Sequence, residues 1–296
     1  MSLSPVDVDV IIIVDWSANS TPKLGADSIW SYELATSGGA DPRVPINHRT
    51  RTAALEHIES RVRARAGQRV LLGFDFAFAY PAGFAFAAGL TGARPWEAIW
   101  QHLARHITDD ERNRNNRWAV ATELNERLGS THFWGAPPRQ ASAHLTTTKP
   151  VHFALAEFRR SEVHLRAVTG KHPFSAWQLL GAGAVGSQTL MGIPVLQRLR
   201  SAHQLSGRTR VWPFETGLVA DPWAGRNDGV VVAEVWPSAL EFGHVGHPTK
   251  DAQQVMALAQ RFATRAAQGS LGSAFCPPIS ASDASAAMEE GWVLTP

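Results

Sequence analysis

Four acidic residues stand where they could act together. Asp15 closes the β-branched run Val10-Ile11-Ile12-Ile13-Val14, and Asp75 closes Val70-Leu71-Leu72-Gly73-Phe74. Glu234 lies in Gly229-Val230-Val231-Val232-Ala233-Glu234-Val235, and Asp251 begins the amphipathic stretch after it. A carboxylate at the end of a buried strand is costly to desolvate unless something positive pairs with it. Two bare carboxylates a few ångströms apart repel, and one holds its proton unless a divalent cation neutralises both. Hard cations take oxygen ligands and leave room for water and phosphate oxygens. Two such ions can orient a water and stabilise the attacking and leaving oxygens of a phosphodiester. Each acid also has a plainer reading: Asp15 can cap the turn that follows it, and Asp251 suits a helix N-terminus.

The elements that must position these acids follow from periodicity. Residues 28–34 alternate polar and apolar, as an antiparallel partner of the first strand should. Val44-Pro45-Ile46-Asn47 predicts a short strand that Pro45 confines to an edge. Ala54, Leu55, Ile58 and Val62 share one helical face, and Gly67 stops that helix. A strand–helix–strand path makes neighbouring parallel strands whose loops cluster at their carboxyl ends. Asp15 and Asp75 are therefore expected side by side.

From residue 81 to about 199 the pattern is helical, with helices over 94–107 and 115–128. Strands are predicted over 210–215 and 229–237, and helices over 251–265 and 282–290. The expectation is one α/β domain over residues 1–296: a mixed sheet flanked by helices, its core in 1–80 and 200–296, with a large helical insertion over 81–199.

Composition narrows the function classes. The chain has 296 residues, 28 Lys+Arg against 26 Asp+Glu, and a formal net charge of +2, so charge alone points to no polyanionic partner. A single cysteine, Cys276, excludes an internal disulfide and a Cys-based zinc site. No apolar run is long enough to span a bilayer and no leader pattern opens the chain, so a cytoplasmic protein without a membrane partner is expected. The 12 His form no compact ligand spacing. The literal GxGxxG at Gly181-Ala182-Gly183-Ala184-Val185-Gly186 follows a poor strand, and Gly192-Ile193-Pro194 is expected to interrupt what comes after it, which disfavours a dinucleotide fingerprint. No Ser sits in GxSxG, and Cys276 has no motif around it. Trp96, Trp100, Trp118, Trp134 and Trp177, among 11 Trp, are expected mostly in core packing.

Val14-Asp15-Trp16-Ser17, Gly73-Phe74-Asp75-Phe76-Ala77-Phe78-Ala79-Tyr80-Pro81, Glu234-Val235-Trp236-Pro237, Lys250-Asp251 and the closing Glu289-Glu290-Gly291-Trp292-Val293-Leu294 occur in an order that resembles the DUF429 family of RNase H-like nucleases. The resemblance runs nearly end to end. It implies an RNase H-like core: an antiparallel meander, a helix, then strands joined by helices. It also puts Asp15, Asp75, Glu234 and Asp251 at the acidic positions, with Asp283 as an alternative fourth acid. This chain departs from the family where Phe76-Ala77-Phe78-Ala79-Tyr80 intervenes before Pro81, and in the length of its insertion.

The expected function is phosphodiester hydrolysis with two Mg²⁺ or Mn²⁺ ions, on nucleic acid or a phosphorylated, nucleotide-type small molecule. Asp15 would bridge the ions, Asp75 and Glu234 would each hold one, and Asp251 would complete the second site. Ser17, Arg117, Lys171 and Lys250 are the candidate phosphate contacts. Two other readings stand beside it. One is an ATP-binding phosphotransferase of the actin and sugar-kinase type, with residues 15–23 as the phosphate turn. The other is a non-catalytic RNase H-like binding protein linked to cobalamin or molybdopterin metabolism.

Overall fold

The computed structural model of the chain describes residues 6–36, 44–181, 184–239 and 246–296. The strand β1 (Val10–Asp15) lacks polar alternation and is covered on both faces, as a central strand must be. It runs antiparallel to β2 (Ile29–Ala35), which pairs outward with the edge strand β3 (Ile46–His48). Thr50 then caps α1 (Arg51–Ala64), its hydroxyl accepting from the Ala53 amide at 3.2 Å. This helix carries the chain back to β4 (Arg69–Phe74), which lies parallel to β1.

Among the described residues, no strand interrupts 75–208. That stretch holds the short α2 (Phe84–Ala87), α3 (Pro95–His106), α4 (Arg117–Leu128), α5 (Arg160–Thr169) and α6 (Gly186–Ser201). The sheet resumes with β5 (Thr209–Val211) and β6 (Gly229–Val235). The chain closes with α7 (Lys250–Ala267), the short α8 (Gly272–Phe275), α9 (Ala281–Glu290) and β7 (Val293–Leu294). Among the described residues the sheet has seven strands in the order β3-β2-β1-β4-β6-β5, with β7 also on β6. Every pairing from β1 towards β5 and β7 is parallel.

Strand alternation divides the interior into two cores. Val10, Ile12, Val14, Val70, Leu72 and Val232 face α1, α3, α4 and α6, where Trp96, Trp100 and Trp177 are fully buried. Ile11, Ile13, Leu71 and Val231 face α7, meeting Val255, Leu258 and Phe262. Thus three of the five tryptophans expected in packing are completely enclosed, while Trp118 and Trp134 are half-buried.

Two local expectations are corrected. The strand predicted over 210–215 ends at Val211, because the Glu215 carboxylate accepts the Val211 amide at 2.9 Å and turns the chain. Gly192-Ile193-Pro194 does not interrupt: α6 runs through it, with Pro194 inside the helix. Gly192 is there for close approach, since a Cβ would fall 2.3 Å from Cζ of Phe76. Gly186 opens α6 for a similar reason, since its Cβ would meet the Ala176 carbonyl oxygen at 2.5 Å. Ala182 and Gly183 of the GxGxxG lie outside the described residues.

Candidate functional site

The parallel ladder brings Asp15 and Asp75 together. Val14 pairs with Phe74, and the Asp75 amide donates to the Val14 carbonyl at 3.3 Å, so the next residues of both strands emerge side by side. Both are half-buried and reach solvent at the carboxyl edge of the sheet. The Trp16 amide donates to Oδ1 of Asp75 at 2.7 Å, which fixes that carboxyl against the turn after β1. Trp16 is itself held by its buried ring, edge-on to Phe74, and by Gln188 of α6, whose Nε2 donates to the Trp16 carbonyl at 2.6 Å.

Electrostatics mark the pair as strained. Enclosure by protein pushes Asp15 well above the ordinary carboxyl range, and the Asp75 charge and a hydrogen bond to it add to the rise. Enclosure pushes Asp75 up to about 6, opposed by the Trp16 amide and the same hydrogen bond. The two carboxyls are therefore most stable sharing one proton or one cation. Among the described residues, no Lys or Arg forms a salt bridge with either.

Asp251 joins from the opposite direction. It is the second residue of α7, which packs across β1 and β2, and its charge acts on both Asp15 and Asp75. Its Oδ2 accepts the Asp27 amide at 2.7 Å. Partial enclosure raises its pKa, and the Asp27 charge adds to the rise, while the hydrogen bond from the Asp27 amide and the charges of Lys250 and Lys23 lower it. Asp27 itself was not anticipated. It sits in the left-handed region, φ 52°, in the β1–β2 connection, and its charge also reaches Asp15. The small residues of Gly25-Ala26-Asp27 signal a turn, but nothing in them shows that the turn folds back over Asp15.

Glu234 takes a different position. It pairs with Phe74, one rung before Asp75, so side-chain alternation sends it to the face of the sheet opposite Asp15 and Asp75. There it meets the fully buried Arg159 just before α5. Arg159 Nη1 lies 2.8 Å from Glu234 Oε2, and Nη2 lies 2.5 Å from Oε1. The same guanidinium binds Glu162 through Nε at 2.8 Å and also through Nη2, and donates to the Glu290 carbonyl at 2.9 Å. Burial raises the Glu234 pKa, and Arg159 opposes that rise. Burial likewise raises Glu290, countered by the Arg160 and Ala82 amides. Glu234 also accepts the Phe78 amide at 3.0 Å, Glu290 accepts Ala82 at 2.8 Å and Glu289 accepts Gly83 at 2.7 Å. These carboxylates hold the aromatic segment that follows Asp75. Asp75 and Glu234 share only a small cavity of about 50 Å³, also lined by Val185 and Phe174.

The other candidates lie apart from one another. Asp283 serves the start of α9, its amide donating to Ser280 Oγ at 3.1 Å. The Ser17 hydroxyl donates to the Asp27 carbonyl at 3.3 Å, next to the acidic group. Lys171 donates to the Ser238 carbonyl at 2.9 Å, and Lys250 is exposed at the first turn of α7. Arg117 of α4 is buried beneath the turn after β1 and donates to Ser20 Oγ at 2.9 Å.

The donor chemistry around Asp15 and Asp75 fits a hard cation: all the side-chain ligands on offer are carboxylate oxygens. Among the described residues no three His, Cys, Asp or Glu side chains are arranged to hold an ion jointly, so the pair is the nucleus and Asp251 stands in electrostatic reach of it. No helix among the described residues is long and apolar enough to cross a membrane. Comparison with protein-family models, with curated proteins and with solved structures found no match to any of them.

Proposed function

We propose that this chain is a divalent-cation-dependent phosphodiester hydrolase with an RNase H-like core of the DUF429 kind, acting on nucleic acid or a nucleotide-type substrate. The observation that carries this reading is the Asp15–Asp75 pair, two adjacent carboxyls on parallel strands with raised pKa values and no basic partner among the described residues. Such a pair wants a positive charge that the described chain does not supply. The sheet supports the core assignment, since an antiparallel β3-β2-β1 meander passes through α1 into parallel β4 and β6. In this reading residues 81–199 are a helical insertion covering one face.

Asp15 and Asp75 would hold Mg²⁺ or Mn²⁺, and Asp251 would complete the site. Bound there, the ion would polarise a phosphate oxygen and acidify a water. The Trp16 amide orients Asp75, and the Asp27 amide orients Asp251. Glu234, engaged by Arg159, leaves Asp251 as the carboxylate open to a second ion. Calorimetric titration of wild type, Asp15→Asn and Asp75→Asn with Mn²⁺ and Mg²⁺ tests the reading. Saturable binding in wild type, lost in both variants, supports it and justifies assays on DNA, RNA and dinucleotides. Absence of binding by wild type, with or without nucleotide, rejects it.

A further inference from the structure

The turn after β1 rests on two buried arginines, of which only Arg51 is bonded to a carboxylate. Arg51 is 2% exposed and takes both oxygens of Asp109, Nε to Oδ2 and Nη2 to Oδ1, each at 2.6 Å. Its Nη1 donates to the Ser17 and Asn19 carbonyls at 3.1 and 2.8 Å. Arg117 is 7% exposed and finds only neutral acceptors: Ser187 Oγ at 3.0 Å, Ser20 Oγ at 2.9 Å and Asn115 Oδ1 at 2.8 Å. Its guanidinium lies over the Trp118 ring at 4.4 Å.

A buried guanidinium normally meets a carboxylate or another anion. Among the described residues Arg117 has no salt bridge, and its Nη2 donates to none of them. Burial and the Arg51 charge pull its pKa down to about 10, with Asp109 opposing. The Arg51–Asp109–Arg117 group therefore carries one uncompensated positive charge. Ser20 forms its exposed side: it is solvent-facing, accepts from Arg117, and donates its own hydroxyl proton to no described residue.

We infer that Arg117 and Ser20 form a phosphate-binding subsite, in which an oxyanion accepts from the free Nη2 of Arg117 and the free hydroxyl of Ser20. Ser20 lies four positions after Trp16, whose amide holds Asp75, so the two sites lie within about 14 Å along the turn. That spacing suits a substrate carrying more than one phosphate: one at the acidic pair and another over Arg117. The inference deepens the hydrolase reading by naming a substrate with at least two phosphate groups, and rests on it for that step alone.

The test uses inorganic phosphate as probe, with no divalent cation, on the full chain. Calorimetry on wild type, Ser20→Asp, Arg117→Gln and Asp15→Asn separates the two sites. Wild type is expected to bind phosphate saturably. Ser20→Asp, at an exposed position, is expected to weaken binding tenfold or more, with an unchanged circular dichroism spectrum. Asp15→Asn is expected to bind as well as wild type or better. Absence of saturable phosphate binding by wild type overturns the inference, as does equal binding by Ser20→Asp. In those cases Arg117 is only a clamp on the turn, and Arg117→Gln lowers stability without touching any ligand. Failure of Mn²⁺ binding would sink the hydrolase reading and leave this phosphate measurement unaffected.

Discussion

Two acidic groups lie at the carboxyl edge of the same sheet, on opposite faces. On one face Asp15 and Asp75 meet, with Asp251 in electrostatic reach and no arginine salt bridge to the pair among the described residues. On the other, Glu234 and Glu162 close on Arg159, a guanidinium buried so completely that only an anion could satisfy it. Both groups concentrate negative charge in a partly enclosed place, but the cost is met differently. The Arg159 group is closed by the chain's own cation and ties α5, α9 and the 78–83 segment to the sheet. The Asp15 group is left open, so its charge is available to something from outside. Internal compensation marks the acids that build the fold, and under the proposed function the uncompensated acids are the ones that meet a cation.

That contrast breaks first at Arg159. Arg159→Met leaves Glu162 and Glu234 buried without their partner, and such a loss costs about 3–5 kcal/mol. Urea unfolding should show that fall in midpoint, and a stability within experimental error of wild type would refute the structural role. Glu234→Gln removes one charge from the same group and is expected to cost about 1–3 kcal/mol while changing Mn²⁺ affinity less than threefold. A loss of Mn²⁺ binding in that variant would move Glu234 to the open group.

Asp75→Asn acts in the opposite direction. A carboxyl with its folded pKa raised favours folding while protonated, and that advantage is lost as pH rises from the unfolded value near 4 through about 6. The amide variant should therefore unfold at higher temperature than wild type at pH 8, by roughly 1–2 kcal/mol, and match it near pH 4. Saturating Mn²⁺ should then stabilise wild type alone. Equal melting temperatures at both pH values would show that the pair is not strained. Asp283→Asn is the smallest effect: a stability change under about 0.5 kcal/mol and unaltered Mn²⁺ binding. Any loss of binding would restore Asp283 as a site residue.

Much of the scaffold was readable because burial on both faces leaves a dense apolar signature in β1, β4 and β6. The helices at 51–64, 95–106 and 250–267 were legible from helical spacing. Asp15 beside Asp75 was legible too, because a strand–helix–strand path aligns strand ends. Other features were not. The helix through Gly192 and Pro194 depends on the Phe76 ring filling the glycine's place, which no local pattern encodes. Arg159 looks like any other arginine in a chain rich in them, and its partners arrive from 3, 75 and 131 residues away.

By itself the sequence determined which residues could carry charge at the strand ends and which apolar runs would bury them. Register and side-chain direction were decided only in the tertiary structure. One rung separates Glu234 from Asp75 in the ladder, and in a strand one rung reverses the face. That reversal delivers Glu234 to Arg159 and keeps Asp75 with Asp15, because pairing between distant strands, not the identity of the acid, sets where its charge is placed.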